Sequence, residues 1–425
     1  MGNKKIIKRV YFAVDFTLRS PLNISNGQDV YTDKDVLRRK DGKVFIPGTS
    51  VAGALRNAMD KKIRNQFAGY SDDLDGKMSS IFFSDIVLEN ANVVVRDGVK
   101  LNADKTVDNK YDMQAVETGA NGKLFMEYTV REQDDEDKFH HIVEQLIMGI
   151  QANEIRFGAN KNRGFGSMKV DQVRETVFTR ENVDSYISFD KEDIDSYNSS
   201  QTFEEWEKTK RLDESRYVTI EVPLRLTGGI SIRKYSTKPK EADYEQLTIA
   251  LKDENGNPIP VIPGSSWNGA IRADVRKTLQ QLGDKNADQD VMHWFGHIGE
   301  TSCQSTVVIG ESKLEGSKPL TISRNKINRF DASTMNGALY TEKSYFGGST
   351  NLKLMVRKDS EATYEALIGA LLLVIQDIQS GYQSIGGLSS IGRGMFEANG
   401  DIVLSEGTEE SYRKALYTYL FEGAM

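Results

Sequence analysis

The chain repeats itself, and the duplication constrains its fold more than any other feature. Residues 45–56 read Phe-Ile-Pro-Gly-Thr-Ser-Val-Ala-Gly-Ala-Leu-Arg, and residues 261–272 read Val-Ile-Pro-Gly-Ser-Ser-Trp-Asn-Gly-Ala-Ile-Arg. Further matches come in the same order. Residues 121–127 (Asn-Gly-Lys-Leu-Phe-Met-Glu) answer 336–342 (Asn-Gly-Ala-Leu-Tyr-Thr-Glu), and the glycine-rich stretch 158–166 answers 387–395, with Arg163 set against Arg393. Stacked short repeats have periods of roughly 20–50 residues. Here the period is about half of the 425-residue chain. This describes one domain used twice, each copy large enough to bury its own core.

Each copy opens on strict alternation: Val10, Phe12, Val14, Phe16 and Leu18 in the first, Val218, Ile220, Val222, Leu224 and Leu226 in the second. That is the period of a half-buried strand. The Ile-Pro-Gly turn then leads into a helix, where Val51, Ala54, Leu55, Ala58 and Met59 share a face and Ser50 or Thr49 is placed to cap. Strands are expected over 81–88 and 124–130. A second amphipathic helix comes next, carrying Phe139, Ile142, Val143, Leu146, Ile147 and Ile150. Copy two matches with a strand at 352–356 and a helix over 363–378. In both copies a glycine-rich loop then enters a last strand, at 167–170 or 395–398. The order βαββαβ is ferredoxin-like (RRM-like), so the predicted class is α+β with two tandem domains, 1–183 and 216–425. Between them, 184–215 reads as an acidic linker with one short helix over 203–211.

Charge is unevenly spread. The net charge is -7, mildly unfavourable for a nucleic-acid binder. Yet residues 1–64 hold 14 Lys+Arg against 6 Asp+Glu, while 184–215 hold 10 Asp+Glu against 4 Lys+Arg. An acidic chain can still carry a basic face. A single cysteine, Cys303, excludes an internal disulfide framework and a cysteine-based zinc site, and its expected place is the core. Neither His140 and His141 nor His293 and His297 belong to a Glu-x-x-His set, so metal or general-base roles are not expected of them. No apolar run approaches the roughly 18 residues of a membrane span. A reducing cytoplasm is the expected compartment.

Two features point to anion binding. The Pro-Gly-(Ser/Thr)-Ser corner aims backbone N–H groups and a helix N-terminus at one spot, and Arg56 and Arg272 either reach a phosphate from it or brace the turn. The glycine-rich loops around Arg163-Gly-Phe-Gly and Gly392-Arg-Gly come after a helix, so they are not Rossmann or Walker loops. Either Arg supplies charge and Phe165 a stacking surface, or the loop is a plain helix terminus.

Two Ile-Pro-Gly-(Ser/Thr)-Ser-x-x-Gly-Ala-(Ile/Leu)-Arg blocks, each with a late Arg-Gly loop, resemble the RAMP superfamily of CRISPR effector complexes. The similarity is greatest to the Cas-seven-type backbone subunits of type III systems, and the fusion is similar to the double subunits of the type III-D branch. The resemblance implies an RRM-like core that binds guide RNA, cooperates with other subunits, and presents the guide–target duplex along a groove. It implies no membrane partner. It assigns RNA contact to Gly48, Ser50, Arg56, Lys161, Arg163 and Gly164 in copy one. In copy two it assigns Gly264, Ser265, Ser266, Arg272, Arg329, Arg393 and Gly394. Some members cut the target RNA with an acidic residue in the loop before the Ile-Pro-Gly turn. That loop maps onto Asp33, four residues before Leu37, and onto Asp243, four before Leu247, with Asp35 and Glu245 as alternatives. The implied chemistry is attack of a ribose 2′-OH on its own phosphate, assisted by Asp33 or Asp243 and a divalent metal, Mg2+ or Mn2+. The alternative is a scaffold that holds guide RNA without chemistry. A guide-processing activity would use a histidine near the first helix, and none precedes His140.

Overall fold

The alternating segments become the central strands of two sheets. The computed structural model describes residues 5–25, 27, 31–71, 76–101, 106–211, 213–235, 242–252, 256–297, 299, 302–358 and 363–422. In β1 (Ile6–Leu18) the five alternating apolar residues are all buried, because one face of the pleat must leave water. The other strands of this sheet are β2 (Ile81–Phe83), β3 (Ile86–Glu89), β6 (Asn121–Arg131), β7 (Met168–Thr179) and β8 (Ser199–Thr202), with the two-residue strand Phe45–Ile46 at the edge against β3. Strands β4 (Val93–Leu101) and β5 (Val107–Val116) form a separate hairpin. The order is β8-β7-β1-β6-β3, and β2 also pairs with β6. Taking β2 and β3 as one interrupted strand, this is fourth-first-third-second, the ferredoxin-like arrangement.

Copy two builds the same order. Its strands are β9 (Tyr217–Leu226), β10 (Val307–Ile309), β13 (Ser349–Arg357) and β14 (Phe396–Ala398), arranged β14-β9-β13-β10, and the two-residue strand Val403–Leu404 also pairs with β9. A second hairpin joins β11 (Lys318–Arg324) to β12 (Tyr340–Phe346).

Helices cover one face of each sheet. In α1 (Gly48–Ala58) the residues Val51, Ala54 and Leu55 are buried, and in α2 (Glu136–Gln151) so are all six expected apolar residues. In α4 (Gly264–Gln281) the buried row is Trp267, Ile271, Val275 and Leu279. Helix α5 (Thr363–Gln379) is buried nearly all round because α6 (Glu409–Tyr417) packs on its far side, where Gly369 meets the Tyr412 carbonyl. Neither Ser50 nor Thr49 caps α1. The N-cap is Pro47, and Pro263 does the same for α4, so the hydroxyls lie inside the first turn. Among the described residues no helix is long and apolar enough to cross a membrane.

The chain forms two compact units. The first comprises Met1–Val95, Asp112–Lys161 and Phe165–Glu214; the second comprises Arg96–Tyr111, Asn162–Gly164 and Ser215–Met425. The stretch read as a linker is built into the first unit. Strand β8 pairs with β7, and α3 (Phe203–Glu207) buries Phe203 and Trp206, capped by Thr202 and Glu205. The acidic average of 184–215 hides these two aromatics. The expected match of 121–127 with 336–342 also changes. Strand β6 pairs with β1 as β13 pairs with β9, so β13 is its counterpart, and residues 340–342 belong to the hairpin strand β12.

Candidate nucleic-acid interface

The two acidic loops superpose in their bonding. Leu37 N–H donates to the Ile24 carbonyl at 2.7 Å and Leu247 N–H to the Ile232 carbonyl at 2.8 Å, which fixes the register. Four residues earlier, Asp33 Oδ2 accepts from Asp112 N–H at 3.0 Å, and Asp243 Oδ2 accepts from Thr341 N–H at 2.7 Å. Both aspartates are exposed. Each is thus anchored by one oxygen to the amide of a hairpin strand, β5 or β12. Asp35 is different: it is buried and accepts from Tyr31 N–H, Thr32 N–H and Thr32 Oγ1, so it holds the turn. Asp112 was not visible from sequence, because only the hairpin brings it to Asp33. Among the described residues no three His, Cys, Asp or Glu side chains gather as a metal-binding set.

The Arg-Gly loops align two residues away from their letter match. Phe157 N–H donates to the Gly166 carbonyl and Ile385 N–H to the Gly394 carbonyl, at 3.0 and 2.9 Å. Gly166 and Gly394 both have φ above +70°, and a Cβ at either would strike the carbonyl of Phe157 or Ile385. So Gly166 answers Gly394, and Arg393 stands where copy one has Phe165. Phe165 is buried against Met113 and Ala115 and offers no stacking face. The Arg393 guanidinium lies 4.4 Å from the Phe346 ring centre, and its Nε is buried without a hydrogen-bond partner among the described residues. Lys161 is half-buried, and burial pushes its pKa down.

The two Ile-Pro-Gly corners diverge. In copy one Gly48 N–H donates to Asp85 Oδ1 at 2.6 Å, so the chain's own carboxylate sits at the helix start. Arg56 donates to the carbonyls of Ala68 and Gly69, bracing the turn after helix Lys61–Phe67. Ser50 is exposed. In the second unit a Cβ at Gly264 would strike the carbonyls of Arg163 and Ile309, and one at Gly164 would strike Gly310, so both glycines allow backbone contact. Glu311, matching Asp85, pairs with Arg96 at 2.9 Å in a buried site. Arg163 Nη1 donates to the Tyr111 hydroxyl at 3.0 Å. Half-buried Arg272 has its pKa lowered first by burial, then by the like charges of Arg276 and Arg163. Arg272 and Arg276 sit mid-way along α4, where Arg276 Nε pairs with Asp288 Oδ1 at 2.8 Å, while at the helix start Ser265 is exposed and Ser266 half-buried. Arg329 is exposed on the loop between β11 and β12, next to Phe330 at 99% exposure.

Among the described residues the sheet faces give no open stacking platform of the RRM kind. On the outer face of the first sheet, Tyr11 packs against Phe178 and Phe189, and Lys191 lies over Phe125. On the second, Glu221 pairs with Lys353 and Arg225 with Glu397. His140 meets the Tyr128 hydroxyl and Glu144, and His141 meets Asp213, beside a cavity of about 290 Å³. Cys303 is half-buried instead of in the core, with its Sγ 3.2 Å from His297 Nδ1.

A family model for the RAMP superfamily matches residues 15–169 and 223–397, well over half of the chain. No curated protein sequence matches it. Because one matched stretch falls on each ferredoxin-like sheet, the chain belongs to the RAMP superfamily as a tandem of two such domains, and so to the CRISPR-associated RNA-binding proteins.

Proposed function

We propose that this chain is a double backbone subunit of a type III CRISPR ribonucleoprotein, of the Cas-seven type, that binds guide RNA and cuts complementary target RNA at two positions. The reading is carried by Asp33 and Asp243: two exposed carboxylates at matching places, each tied by Oδ2 to the amide of a hairpin strand. Two arginines of the second unit, Arg163 and Arg272, supply the charge for a phosphate backbone.

In this reading the ribose 2′-OH attacks its own phosphodiester. The bond to the 5′-oxygen breaks, leaving a 2′,3′-cyclic phosphate and a 5′-OH. The carboxylate takes the 2′-OH proton, and solvent returns one to the leaving oxygen. Binding supplies in-line geometry, so one carboxylate per site suffices. When bound, Mg2+ or Mn2+ offsets charge on the phosphate. The donors fit such an ion, which keeps water and takes one or two carboxylates together with substrate phosphate. Asp33 and Asp243 would hold it.

The test is a reconstituted complex given labelled matched RNA with Mg2+, Mn2+ or EDTA. Two metal-dependent cuts at a fixed separation are expected. Asp33→Ala should slow one and Asp243→Ala the other, each by about a hundredfold, with target binding intact because a short carboxylate contributes little to holding a polyanion. A wild type that retains RNA but never cuts is a scaffold.

A further inference from the structure

Asp33 and Asp243 occupy matching places but are fastened differently, and we infer that Asp112 is a positioning residue for Asp33. The inference rests on the proposed role of Asp33. In copy one the fastening is reciprocal between side chains and main chains: Asp33 N–H donates to Asp112 Oδ1 at 2.9 Å, and Asp112 N–H donates to Asp33 Oδ2 at 3.0 Å. In copy two the return bond uses backbone alone. Asp243 N–H donates to the Thr341 carbonyl at 2.9 Å, while Thr341 Oγ1 is engaged with Ser323 Oγ at 2.9 Å. The side chain at 112 therefore does in copy one what a carbonyl does in copy two.

Neighbouring bonds make the role separable from folding. Gln114, two residues on along β5, donates its N–H to the Lys34 carbonyl at 3.0 Å and accepts Val36 N–H on Oε1 at 3.2 Å. Residues 112 and 114 project to the same side of the strand, so both face this loop. Without the Asp112 side chain the loop stays anchored at 34–36, while Asp33 loses the acceptor for its own N–H. The role needs an acceptor oxygen, not a charge. Asn at 112 keeps Oδ1 and therefore preserves it.

Hydrogen exchange on the full chain without RNA tests this directly. Asp112→Ala should speed exchange of the segment around Asp33 by about tenfold, the scale of one lost hydrogen bond. Asp112→Asn should stay near wild type, and Thr341→Ala should leave the segment around Asp243 unchanged. In the reconstituted complex, the cut that Asp33→Ala removes should slow by about tenfold or more in Asp112→Ala and be restored by Asp112→Asn, with the Asp243 cut untouched. Unchanged exchange in Asp112→Ala overturns the inference whether or not RNA is cut. If Asp112→Asn slows the cut as much as Asp112→Ala, Asp112 acts through its charge and positioning is refuted. If wild type makes no cut, the nuclease reading fails, and the exchange comparison still decides whether Asp112 fixes Asp33.

Discussion

Arg56 and Arg272 stand at the same step of the same motif, and the two copies use them in opposite ways. Arg56 donates to two carbonyls, at Ala68 and Gly69. Arg272 has no hydrogen bond or ion pair with a described residue and lies near two other arginines. The cause is the path of the chain just beyond the motif. Helix α1 ends at Ala58 and the chain turns back through a second short helix, presenting carbonyls within reach of Arg56. Helix α4 continues to Gln281, so no such turn exists for Arg272 to brace. A repeated motif thus preserves a backbone corner, while the job of its side chain is set by local context.

The largest difference between the corners is in their cores. Val51 and Trp267 fill matching slots, and both are fully buried. Trp267→Ala removes an indole that packs near Phe396 and orphans Ser312 Oγ, which accepts its Nε1–H at 3.0 Å. That change should cost unit two about 3–5 kcal/mol. Val51→Ala removes two methyl groups and should cost unit one about 2 kcal/mol. Two units need not unfold together, so chemical denaturation should be read as two transitions, each variant moving its own. Equal shifts from the two variants would break the comparison.

Much of this architecture was legible because period and packing agree. The alternation in β1 and β9, and the apolar faces of α1, α2 and α5, predict what is buried, and the element order predicts both sheets. The hairpins were not legible. Val95, Val99 and Val107 of the first are more than 40% exposed, so no buried face imposes a period on it. Asp112 was missed for that reason. The Arg163–Arg393 match failed because letters were aligned where dihedrals decide: Gly166 and Gly394 share a backbone shape that excludes any Cβ. Trp206 and Phe203 were passed over because ten acidic residues set the character of their segment.

The arginines sharpen the contrast on two separate scales. Arg56→Ala leaves the Ala68 and Gly69 carbonyls without their donor and should destabilise unit one by about 1–3 kcal/mol, with RNA retention unchanged. Arg272→Ala should leave unit two as stable or slightly more so, since it relieves repulsion from Arg163 and Arg276. It should instead weaken RNA binding roughly tenfold and reduce the salt slope by about 1. Filter binding across a salt series, alongside denaturation, separates the two. If Arg56→Ala weakens RNA binding as much as Arg272→Ala, the copies are functionally alike and the structural contrast is incidental.

The smallest expected effect lies on the outer sheet faces. Register places Ala13 of β1 where β9 has Glu221, since Val14 lies opposite Leu124 as Val222 lies opposite Leu352. Ala13 is buried, whereas Glu221 remains partly open to solvent and accepts from Lys353 Nζ at 3.0 Å and Asn351 Nδ2 at 3.3 Å. The Lys353 bond holds the Glu221 pKa below the ordinary carboxylate value, against the opposing pull of burial. A carboxylate with a depressed folded pKa contributes stability above its unfolded pKa and loses it as pH falls through the folded one. Both partners are more than a third exposed, so solvent screens the pair. Glu221→Gln should therefore cost unit two under about 1 kcal/mol at pH 7. The gap should narrow as pH falls below about 4.3 and also in 1 M salt, where the screening length is about 3 Å. Urea denaturation at pH 7 and pH 3.5, with and without salt, reads both. A gap that stays constant through acid and salt would mean that Glu221 acts through packing, as Ala13 does, and that the two faces differ less than their charges suggest.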